Sequence, residues 1–156
     1  AKLFGHQSPK VLNWKVQARG EATQSASGAT QFDATDLSSH EEVSVRVVPL
    51  SRLVDPALGS TTPADAQSAF EQQADIASSL RHPCIETVLD HGEAILDGEK
   101  YVYVVGERLS GGSLREFLDR GRRLTPSQAL VVGLDMCRGL SAMHQAGWVH
   151  GDIRPA

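Results

Sequence analysis

A chain of 156 residues is long enough to bury a core and suggests one domain. With 40% hydrophobic and 22% charged residues its composition is that of an ordinary globular protein, and a net charge of −4 gives no support to a nucleic-acid partner. Two cysteines, Cys84 and Cys137, exclude a disulfide-rich secreted scaffold and read as buried, reduced thiols of a cytoplasmic protein. No apolar run approaches the roughly 18 residues that span a bilayer, and "AKLFGHQSPK" lacks the apolar core of a signal peptide, so no membrane contact is expected of this segment.

In chain order, "VLNWKVQARG" alternates Trp14, Val16 and Ala18 and predicts a strand. "EATQSASGAT", small and polar, predicts a loop, and "QFDATD" a second strand closing a hairpin. "EEVSVRVVPL" is the clearest strand of this half, with Val43, Val45 and Val47 on one face and Ser44, Arg46 and Val48 on the other. Pro56 and Gly59 break the connection that follows. Thr62 then suits a helix N-cap, Pro63 the first helical position and Asp65 the positive end of the helix dipole. Phe70, Ala74, Ala77 and Leu80 make one apolar stripe at helical spacing, and Pro83 marks the exit.

"IETVLDHG" and "KYVYVVGE" predict two strands, with a hairpin turn at Asp97-Gly98. "LSGGSLREFLDR" reads as a loop into a short helix. The "RGRR" run of residues 120–123 reads as a solvated loop. A long helix follows, opened by Thr125 as cap, Pro126 and Gln128, and ended by Gly147. Its apolar residues (Leu130, Val132, Leu134, Met136, Cys137, Leu140 and Met143) cover a wide arc that should be buried on most sides. Strands first and helices after give an α+β class.

Four stretches in this order resemble the eukaryotic-type Ser/Thr protein kinase domain found in bacteria. "VSVRVV" resembles the family's third strand, and "FEQQADIASSLRHPCI" its regulatory helix with the His-Pro turn that follows. "VVGERLSGGSL" resembles the fifth strand, hinge and next helix, and "GLSAMHQAGWVHGDIRPA" the helix leading into the catalytic loop. The resemblance implies a five-stranded antiparallel small-lobe sheet with its regulatory helix, then the first helices of a helical large lobe, truncated at the catalytic loop. It divides the chain into an N-terminal extension (1–12), a small lobe (13–106), a hinge (107–112) and the start of the large lobe (113–156).

The same resemblance assigns roles. Phosphoryl transfer depends on charge placed around the transferring group. Where the family carries three glycines over the phosphates, "GEATQSASGATQF" keeps Gly20 and Gly28 at a different separation. Arg46 stands where a lysine anchors the α and β phosphates, and Ser44 where a small residue roofs the adenine. The swap is not conservative, because a guanidinium is longer, planar and forked. Gln73 stands where the regulatory helix carries the glutamate that pairs with that lysine, and Glu71 lies about 200° around the helix from it. Gly106 falls at the gatekeeper position, and the Glu107 carbonyl and Leu109 N–H would hold an adenine edge.

In the last ten residues Asp152 matches the catalytic carboxylate, His150 the structural histidine and Arg154 the lysine that steadies the γ-phosphate. Gly151 replaces the arginine that reads a phosphorylated activation loop. The metal-binding asparagine would follow Ala156 directly, so magnesium is expected only if residues beyond it supply ligands. The implied cofactor is ATP and the implied partner a protein, as substrate or as docking mate. Altered lysine, glutamate and glycine positions favour a pseudokinase that regulates or docks. An active Ser/Thr kinase continuing beyond Ala156 is the alternative, and "HGD" leaves a small-molecule kinase of the aminoglycoside-phosphotransferase type as a third. The chain is expected to continue past Ala156, or to have its long helix covered by another chain.

Overall fold

In the computed structural model, residues 10–11, 16–24, 29–55, 57, 62–96, 98–150 and 153 are described. The chain forms two compact units, one of residues 1–79 with 87–108 and one of residues 80–86 with 109–156.

The first unit is a six-stranded antiparallel sheet in the order β1-β2-β3-β4-β6-β5. Its strands are β1 (Lys10–Val11), β2 (Val16–Gln24), β3 (Thr30–Asp36), β4 (Glu42–Pro49), β5 (Val88–Leu96) and β6 (Glu99–Glu107). The two-residue β1 is additional to the five strands expected, pairing Lys10 with Gln17 and Val11 with Val16. Alternation along β4 works as the sequence predicts: Val43, Val45 and Val47 are at most 2% exposed. They pack with Val16, Phe32, Ala34, Tyr101, Tyr103 and Val105 into one apolar cluster. Opposite them, Val48 and Val102 join Leu50, Ala66 and Phe70 in a second cluster, which seats helix α1 (Pro63–Ser79) on the sheet.

Helix α1 starts where Thr62 and Asp65 cap each other. The Asp65 N–H donates to Thr62 Oγ1 at 3.2 Å, and the Thr62 N–H donates to the Asp65 carboxylate at 2.9 Å. Asp65 thus closes a reciprocal capping box as well as facing the dipole. A 3.1 Å contact between His91 Nε2 and Asp75, with the Phe70 ring edge-on to the imidazole, ties the helix to β5.

Several strand boundaries differ from expectation, two of them with a visible cause. Residues 21–24, expected in a loop, continue β2, because Thr23 and Gln24 find partners in Gln31 and Thr30. The register shift between Arg19 and Thr23 is the irregularity that makes this pairing fit. Strand β5 starts at Val88 rather than Ile85, since residues before it form a tight turn in the second unit. There the Ile85 N–H reaches the His82 carbonyl at 3.0 Å, and the Cys84 N–H reaches His82 Nδ1 at 3.1 Å.

The second unit holds α2 (Leu114–Asp119) and α3 (Pro126–Gln145), both opened by capping boxes, Ser113 with Glu116 and Thr125 with Gln128. At the end of α3, Gly147 (φ 82°) donates to the His144 carbonyl and Trp148 to that of Met143, a Schellman closure. Gly139, buried, lets α3 approach the His82 turn: a β-carbon there would lie 2.9 Å from the Cys84 carbonyl oxygen. The rest of the helix is not buried on most sides. Leu130 is 75% and Leu134 51% exposed, with Val131 and Met136 open as well. Cys137, expected inside, is exposed on the same helix, and Cys84 is half-buried; both are free thiols. Among the described residues, the His82 turn lies against the Gly139 side of this helix.

Candidate functional site

The sheet face carrying Ser44 and Arg46 is the one on which α1 is seated. Arg46 lies opposite Gln31 of β3 and Val104 of β6, and Ser44 opposite Asp33 and Gly106. Two residues further along the same face, Val48 pairs with Val102 beneath α1. Arg46 is exposed, whereas Ser44 is 8% exposed and Gly106 is buried.

On α1, Ala66 and Ala74 are buried and Phe70 half-buried, so this stripe contacts the sheet. Gln73 flanks the stripe and is exposed. Glu71 lies on the other flank, where its carboxylate accepts from Gln67 Nε2 at 3.0 Å. The helix therefore presents an amide, not a carboxylate, at the position matched to the family's glutamate.

Three features on and around this face went unread in the sequence. First, Gln31 Nε2 donates to Ser44 Oγ at 3.1 Å. Second, Arg108, just past β6, donates from Nε to Asp33 at 2.8 Å and from Nη1 to Glu42 at 3.1 Å, and Arg19 of β2 also donates to Glu42. The hydrogen bond and charge of Asp33, with the charge of Glu42 beyond it, raise the Arg108 pKa above its ordinary value. Third, Glu107 exchanges two bonds with Thr87: its N–H donates to the Thr87 carbonyl at 3.0 Å and its carboxylate accepts the Thr87 N–H at 2.9 Å. No local pattern signalled the ion network, because Arg19, Asp33 and Glu42 lie on three different strands that only sheet pairing brings together.

Of the other residues singled out, Gly20 lies within the irregular stretch of β2, not in a loop. Gly28, Gly151, Asp152 and Arg154 lie outside the described residues. His150 and Leu109 are exposed, both in the second unit. Among the described residues no group of three or more His, Cys, Asp or Glu side chains could hold a metal ion, and no helix is long and apolar enough to cross a membrane.

An antiparallel sheet with one helix seated beside its Arg-bearing strand, followed by a capped helical unit, defines a protein-kinase-like fold. The chain belongs to the protein kinase family: residues 56–156 match the family model for protein tyrosine and serine/threonine kinases. The probable serine/threonine-protein kinase SCO3848 of Streptomyces coelicolor is 34% identical over 128 residues, 82% of this chain and 18% of that protein. Serine/threonine-protein kinase PknB of Mycobacterium tuberculosis is 33% identical over 123 residues, 79% of this chain and again 18% of the relative. The chain thus spans 18% of the length of these curated relatives. In structure it resembles Rad53 residues 1–466, solved in complex with AMP-PNP, with a TM-score of 0.71 at 20% identity, over 90% of this chain and 33% of that one. This resemblance concerns the fold.

Proposed function

We propose that this chain is the nucleotide-facing part of a bacterial pseudokinase, a regulatory or protein-docking module that binds ATP on the Ser44–Arg46 face and transfers its phosphate poorly. On this reading residues 13–106 are the small lobe, 107–112 the hinge and 113–156 the start of the large lobe. The observation that carries it is Gln73. An amide can hydrogen-bond a guanidinium but cannot neutralise it, and Glu71, turned to Gln67, does not replace the missing carboxylate.

The residues fit a nucleoside triphosphate in part. Arg46 offers a forked cation suited to phosphate oxygens, two residues from Ser44 on one face. The end of β6, held by Thr87, offers backbone for a base edge. ATP bound there would supply a transferable phosphoryl group. Its holding falls to Arg46 and to the backbone around Gly20 and Gly28, and proton removal from an acceptor hydroxyl to Asp152, with His150 and Arg154 beside it in sequence.

An active Ser/Thr kinase is the second reading, favoured by the retention of Asp152 and Arg154 and by relatives described as serine/threonine kinases. Thermal shift of the full-length protein with ATP, with and without magnesium, separates the two. A shift that does not need magnesium supports the pseudokinase. A magnesium-dependent shift supports the active enzyme, and no shift removes both.

A further inference from the structure

The patch on which a base would rest is polar. Gln31 and Ser44 meet across β3 and β4 on the face that also bears Arg46, and the exposed Gln31 amide bonds a hydroxyl that is itself nearly buried. Asp33, opposite Ser44, continues this polar strip and is engaged by Arg108. A flat aromatic base gains affinity by removing apolar area from water. Against this patch it must instead cover an amide and a hydroxyl already bonded to each other. The Gln31 side-chain carbonyl would lose water there, with no donor on a ring face to replace it.

We infer that Gln31, through its bond to Ser44, is a specificity-determining residue that holds down the affinity of this face for a purine base. The inference rests on the nucleotide reading above and adds the group that limits it. Phosphate affinity, carried by Arg46, is separate from this effect.

The test titrates full-length wild-type protein and the variants Gln31→Val and Ser44→Ala with N-methylanthraniloyl-ATP, followed by fluorescence. Displacement by inorganic tripolyphosphate, which has no base, is measured alongside. Gln31→Val should bind the nucleotide about fivefold tighter, from the added apolar contact. Ser44→Ala should shift the same way by less, and the tripolyphosphate inhibition constant should stay the same. If Gln31→Val proves unfolded in a thermal melt, Ser44→Ala carries the test. Binding by the variants alone also supports the inference. Wild-type binding that neither variant tightens overturns it and leaves the nucleotide reading standing, as does an equal gain for tripolyphosphate. If no form binds, both fall.

Discussion

Arginine in place of lysine at position 46 changes more than length. Lysine presents a point charge that one carboxylate can neutralise, while the guanidinium fork needs a planar partner. On the proposed assignment of Arg46 and Gln73, neither half of the family's ion pair remains. Restoring one half alone should achieve little: Arg46→Lys beside an amide, or Gln73→Glu beside a misplaced fork. The double variant should raise the ATP-induced thermal shift by more than the two single changes summed, which a double-mutant cycle reads directly. Simple additivity would show that these two side chains do not act together.

Two other residues behave differently from what residue type suggests. A β-carbon at Gly92 would lie 2.9 Å from the Tyr103 hydroxyl and 3.0 Å from its ring, which is buried. Gly92→Ala should therefore cost about 1–3 kcal/mol in urea unfolding, as overpacking does. For Arg108 the sign is simple. Its pKa is raised in the folded chain, so its contribution is fully present below its ordinary value and is lost only as pH rises through the higher folded one. The network should thus be insensitive to pH near neutrality. Being exposed, it should weaken with salt.

At the level of elements, local chemistry made the helices legible. Thr62, Thr125 and Gly147 act as sequence rules predict, because caps involve residues three or four positions apart. The strand ends were less legible. Whether residues 21–24 form strand or loop depends on partners in β3, and the start of β5 depends on the His82 turn before it. Helix propensity alone would likewise mislead at Gly139. Alanine ordinarily gains about 1 kcal/mol over glycine in a helix, yet here it would press on the Cys84 carbonyl. Gly139→Ala should lose about 1–2 kcal/mol. Gly133→Ala, with nothing within 4 Å of the added carbon, should gain about 1 kcal/mol. Equal effects in chemical denaturation would refute the close approach of α3 to this turn.

Across the whole molecule, fold and chemistry were legible to different degrees. The ordered motifs named the fold, since each stretch carries its own pattern. The Gln31–Ser44 bond was hidden, because the two residues are 13 apart in sequence and meet only through strand register. Exposure of Leu130, Val131 and Leu134 along α3 is likewise a property of the assembled unit. A patch of this kind drives association. Residues 1–156 prepared alone should show concentration-dependent light scattering, reduced by Leu130→Glu with Leu134→Glu. A monodisperse monomer at all concentrations would contradict that expectation.

In the proposed function, nucleotide binding has outlasted phosphoryl transfer. Incorporation of labelled phosphate from ATP with magnesium, measured on the full-length protein and on Asp152→Asn, tests it most directly. Background incorporation is expected for both. Transfer by the wild type that disappears in Asp152→Asn would contradict it and establish an active kinase.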